Sequence, residues 1–122
     1  MIKLSRKMQK RIAKTLTVVG AIDFVELLIQ TAEKASKANS KKDYETLYQL
    51  GLEINTEIDR VFGKHIAKSL FADSSPFMPD EKGGIYIYDG LRTLIPYVKS
   101  VLVEQRNKID EIIRFFDEDF KV

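Results

Sequence analysis

The sequence predicts an all-α protein. Four to five helices form one small bundle, with a long C-terminal helix and an irregular loop at 72–89. Three observations predict this class. Apolar residues recur at spacings of three and four through most of the chain. Asp23, Asp43 and Asp89 stand in front of apolar runs, where a carboxylate caps free N–H groups. Two of the three prolines and two of the six glycines fall together in 72–89, so the breakers are concentrated in one stretch.

The first helix is expected at 2–16. Leu4, Met8, Ile12 and Leu16 make one narrow stripe, and basic side chains fill the other faces. Thr15, Thr17, Val18, Val19 and Gly20 are poor helix formers and should end or bend it. This basic segment, 1–20, can stand apart from the core. A second helix starts near Asp23, with Glu26 completing a box-like cap. Phe24, Leu27, Leu28, Thr31, Ala32 and Ala35 form its apolar face, and it fades into a polar linker at 36–42. Asp43 caps the third helix. Tyr44, Leu47, Leu50, Ile54, Ile58, Val61 and Phe62 give the clearest amphipathic pattern in the chain. Gly63 ends it by taking a left-handed conformation. A short helix at 64–71 buries Ile66, Leu70 and Phe71. Phe62, Gly63 and Phe71 form a structural joint, a turn whose corner two phenylalanines fill.

Ile85-Tyr86-Ile87-Tyr88 has strand-like composition but no evident partner, and an isolated strand is unstable. It is expected to run extended over the core; a strand contact with the start of the chain stays open. The last helix is expected at 90–118, capped by Asp89 and kinked or re-started at Pro96. If straight it is about 40 Å long, against a diameter near 28 Å for a compact domain of this size. Its apolar end would then project.

Length and composition bound function. The 122 residues make a single domain, 1–122, and 44% hydrophobic residues argue against wholesale disorder. Without cysteine there is no disulfide framework, thiolate site or cysteine nucleophile, and one histidine excludes a multi-histidine zinc site. No run approaches the roughly 18 apolar residues of a membrane span, so no membrane partner is expected. A cytoplasmic location is expected, and the basic start is read as part of the mature protein. Residues 1–22 hold six basic residues and no acid. The other 100 residues hold 14 basic and 18 acidic groups, a net −4.

Each chemical candidate is weak. His65 has no Ser or Asp at a suggestive spacing to position it as a general base. Asp80-Glu81 and Asp117-Glu118-Asp119 lack the alternating oxygens and glycine turn of a calcium loop. Lys82-Gly83-Gly84 lacks the strand, the further glycines and the Lys-Ser or Lys-Thr of a phosphate loop. No catalytic residue, metal or cofactor is predicted.

One stretch is more distinctive than its composition. Glu57-Ile58-Asp59-Arg60-Val61-Phe62-Gly63 is followed by Ala67-Lys68-Ser69-Leu70-Phe71-Ala72-Asp73, and later by Leu94-Ile95-Pro96-Tyr97-Val98. Between about 22 and 113 this resembles small tail-assembly, chaperone-like proteins of phages and prophages of Gram-positive bacteria. In these a helix ends in Ile-Asp-x-x-Phe-Gly, a short helix ends in Phe, and a long helix carries a motif like Leu-x-Pro-Tyr-Ile. The basic start is the least matched part, and the loop at 74–88 is longer than in that pattern. The resemblance implies a protein that holds a tape-measure or tail subunit in the host cytoplasm. It supplies no catalytic residues.

The expected function is therefore a non-enzymatic interaction module, self-associating or bound to another protein. Leu4, Met8, Ile12, Ile109, Ile112, Phe115 and Phe116 are the expected partner-binding residues. The alternative is a nucleic-acid-binding regulator that uses Lys3, Arg6, Lys7, Lys10, Arg11 and Lys14 on an anionic partner. No interleaved aromatic or helix-turn-helix spacing supports that alternative.

Overall fold

The computed structural model describes residues 4–72, 74–79 and 85–120. Six α-helices and two short helical turns account for most of them, and the all-α class is as the periodicity predicts.

Helix α1, Arg6–Thr15, is capped by Ser5, whose hydroxyl accepts from Met8 N at 3.2 Å. It is not detached. Ile12 is fully buried, and α1 packs on α3, Tyr44–Phe62. Helix α2, Val18–Ser40, begins five residues before the expected cap. Thr17 is the cap and accepts from Gly20 N at 3.0 Å. The poor propensity of Val18 and Val19 is overridden although both stay exposed, because Thr17 caps the turn and Gly20 and Ala21 are buried in it. Asp23 instead pairs with Arg60 of α3 at 3.3 Å. Asp43 caps α3 as expected: its carboxylate accepts from Thr46 N at 3.1 Å and Thr46 Oγ1 at 2.7 Å.

The α2–α3 pair is the body of the bundle, with Phe24 and Phe62 edge to face at 4.9 Å. Gly63 follows α3 at φ 129°, ψ 155°. The positive φ is as expected, but the region is the extended one that only glycine enters easily, not the left-handed helical one. His65 takes the left-handed conformation instead, at φ 69°. Helix α4, Ile66–Phe71, has no cap from His65. Asp59 supplies one from the previous helix, its Oδ1 accepting from Ala67 N at 2.9 Å. Phe62 and Phe71 are buried at the joint.

Helix α5, Tyr86–Val101, starts four residues before the predicted position. Ile85 only bridges Pro79. Carbonyls of the preceding segment satisfy the first free N–H groups: Tyr86 N donates to Met78 O at 3.2 Å and Ile87 N to Pro76 O at 2.7 Å. The strand-like residues thus enter a helix, and Asp89 lies inside its first turn.

The 40 Å helix does not form. α5 passes through Pro96, whose ring is on the exposed side, and stops at Leu102 (φ −119°, ψ 61°). A 3₁₀ turn at Val103–Gln105 reverses the chain into α6, Arg106–Arg114, and a π turn at Phe115–Asp119. The polar run 104–108 lies at this reversal, where there is no core to face. Lys99 pairs with Asp110 across it. Phe116 and Phe120 then meet Phe77 of the irregular segment, with centroids at 6.2 and 5.7 Å. The apolar end folds over its own core.

Candidate functional site

Most of the predicted partner residues are consumed by the fold. Leu4, Ile12, Ile109, Ile112 and Phe116 are buried, and Met8 and Phe115 are half-buried against the same core. Two features of the fold bury them: α1 docks on α3, and the C-terminal helix reverses at Leu102 instead of projecting. Of the cationic residues, Arg11 is built into the joint, its Nη1 donating to Lys64 O at 2.5 Å. Arg6, Lys7, Lys10 and Lys14 are exposed, and Lys3 lies outside the described residues.

The weak chemical candidates gain nothing from the fold. The imidazole of exposed His65 has no hydrogen-bond partner among the described residues, and the His65 carbonyl serves Ser69. Asp117, Glu118 and Asp119 are exposed on the π turn. Asp80, Glu81, Lys82, Gly83 and Gly84 lie outside the described residues. Among the described residues no three His, Asp or Glu side chains converge on a metal-sized site.

The surface that stands out is a groove beside α3. Tyr44, Tyr48 and Leu52 recur every fourth residue along one flank of that helix, 59%, 55% and 42% exposed. This is a second apolar stripe, beside the buried one. Tyr44 therefore belongs to the surface, not to the core face where its spacing placed it. The irregular segment forms the opposite wall through Ser74, Ser75, Met78 and Pro79, and Tyr86 closes one end. Leu47 and Phe77 make the floor. The cavity holds about 750 Å³, within the range of sites that take a ligand of several residues or a drug-sized molecule.

Gly51 sets the depth of the adjoining section. A Cβ there would stand 2.8 Å from Ser75 Oγ and 3.0 Å from Pro76 Cδ, so a side chain would require the Ser75 hydroxyl to turn away and Pro76 to shift by a few tenths of an ångström. That section holds about 180 Å³ and reaches Asn55. Asn55 Oδ1 is buried there with no hydrogen-bond partner among the described residues. A buried acceptor left unpaired costs free energy and is met by an N–H donor.

The groove therefore offers apolar area, three phenolic hydroxyls and two serine hydroxyls. Its tyrosines are large, rigid side chains that present both apolar and polar surface. The sequence carried a signal for it: Tyr44, Tyr48 and Leu52 fall at i, i+4 and i+8, outside the core stripe. The other wall was not legible, because no periodicity governs 74–79.

A shallower, acidic depression lies between α2 and α3. Asp23, Glu26, Glu57 and Arg60 line it. Arg60 pairs with both Glu57 and Asp23, and these partners hold its guanidinium even more firmly protonated than usual, Glu57 most strongly. It is a solvent-exposed bridge between two helices, of the kind that contributes little.

No family model, no curated protein and no solved structure matches this chain. Among the described residues no helix is long and apolar enough to cross a membrane.

Proposed function

We propose that this chain is a non-enzymatic interaction module that assists tail assembly in a phage or prophage. It would hold a segment of a tail or tape-measure protein in the groove beside α3, in the host cytoplasm. One observation carries the interaction reading: Tyr44 and Tyr48 on α3 and Met78 on the facing wall stand exposed around a cavity of about 750 Å³, with exposed Leu52 beside them in the adjoining section.

The phage part rests on the resemblance around the joint. The quoted residues act there as structure: Asp59 caps α4, Phe62 fills the corner and Gly63 makes the turn. The resemblance therefore supports a shared architecture and does not itself point to a surface. The geometric reason for a homo-oligomer falls with the long straight helix, so the proposed partner is a different protein.

The test is to read the genes on either side of its own and, where they encode tail-tube and tape-measure proteins, to coexpress it with them. The expected result is a stable complex that survives gel filtration with the wild type and is lost with Tyr48→Glu. A neighbourhood of metabolic genes, or a complex indifferent to Tyr48→Glu, would overturn the reading.

A further inference from the structure

We propose that the outer face shared by α1 and α4 binds double-stranded nucleic acid through its phosphate backbone. The inference is independent of the groove. Lys7, Lys10 and Lys14 stand at i, i+3 and i+7 and are all exposed. At about 100° per residue they fall within roughly 60° of one another, in a stripe on the order of 10 Å long. Arg11 lies on the edge of α1 next to that stripe. Its bond to Lys64 O ties that edge of α1 to the turn before α4, where Lys64 and, one helical turn on, Lys68 are also exposed. Five exposed cations thus lie on two segments joined by that bond. None of the five has an ion pair among the described residues. Residues 1–22 and 63–72 contain no acid.

The rest of the face decides the class of partner. Protein interfaces have an apolar centre within a polar rim. No large hydrophobic side chain is exposed within Arg6–Thr15 or 64–72. A contact made of charge alone suits a polyelectrolyte, whose binding is driven by counterion release. Single strands are held by stacking on large aromatic side chains, and this face exposes no Phe, Tyr or Trp, only the imidazole of His65. Duplex is what remains, contacted at its phosphates and without base readout.

The measurement is fluorescence anisotropy of a labelled 24-base-pair duplex against the full chain in 50 and 200 mM NaCl. Five phosphate contacts give a slope of log K against log salt near −4.5, so this fourfold rise in salt weakens binding roughly 500-fold. Lys7→Gln/Lys14→Gln and Lys64→Gln/Lys68→Gln each reduce the slope by about 1.8, whereas Lys34→Gln/Lys108→Gln leaves it unchanged. Circular dichroism confirms that all three variants fold. No duplex binding at 50 mM salt overturns the proposal. So does a slope that neither double substitution changes, or tighter binding to a single strand of equal length. Self-association at low salt that the same lysine substitutions abolish, without duplex binding, would reassign the face to a second copy.

Discussion

Replacing Gly63 by alanine tests the joint that orders α1, α3 and α4. Two costs arise. The backbone at φ 129°, ψ 155° is a glycine region, and an L-residue held there is strained by about 1–3 kcal/mol. The new Cβ would also stand 2.5 Å from Arg11 Cγ and 2.9 Å from Arg11 Cδ. Arg11 must swing away and give up its bond to Lys64 O, an exposed charged hydrogen bond worth roughly 1 kcal/mol. The sum is about 2–4 kcal/mol. For a domain of this size that lowers the thermal midpoint by roughly 10 °C. The assay is thermal and urea unfolding followed at 222 nm for wild type, Gly63→Ala, Arg11→Ala and the double variant. The contact makes the double variant less destabilised than the two singles added together. A midpoint unchanged by Gly63→Ala refutes the account of the joint. Strict additivity refutes the clash with Arg11 while leaving the backbone strain.

Three further outcomes are expected. Asp59→Ala removes the cap of α4 and costs about 1 kcal/mol in urea unfolding; a variant as stable as wild type would show that α4 needs no cap. Phe120→Ala deletes a buried ring packed on Phe77, Phe115 and Phe116 and costs about 3–5 kcal/mol; a projecting C-terminus would tolerate it freely. Asp43 is held below its ordinary pKa of 3.8, first by the Thr46 hydroxyl and then by the Thr46 backbone N–H. Its contribution is therefore fully present above that value and lost as pH falls through the lower folded one. The stability gap between wild type and Asp43→Ala should hold from pH 7 to 5 and close below pH 4, and a gap unchanged at pH 3 would contradict the capping role.

The fold was legible where one periodicity ruled. The α3 stripe, its Asp43 cap and its Gly63 stop could be read directly, because Ile54, Ile58, Val61 and Phe62 face one core and nothing competes. The readings failed where tertiary contacts outweighed local preference. Val18 and Val19 are poor helix formers, yet burial of Gly20 and Ala21 carries α2 back to them. Ile85 to Tyr88 looks like a strand, but the Met78 and Pro76 carbonyls take the N–H groups of Tyr86 and Ile87 and start a helix. Pro96 drew attention as the break, whereas the chain turns at Leu102, ahead of the polar run. That displacement misdirected the site. A helix ended at Leu102 buries Ile109, Ile112 and Phe116, and a straight one would have exposed them. The groove itself was half visible. Its α3 wall follows a helical spacing, but its other wall is set by how closely Ser75 and Pro76 approach Gly51.

The central claim is that the groove beside α3 is where a protein partner lies. Site-specific photocrosslinking tests it most directly. A benzophenone side chain replaces Tyr48 in the groove or, as a control, Val103, an exposed apolar residue on the α5–α6 turn. Each variant is coexpressed with the proposed tail-tube and tape-measure partners and irradiated. Position 48 should yield one crosslinked product, containing a tail or tape-measure segment, and position 103 should yield none. Crosslinking from position 103 and not from 48 would contradict the account.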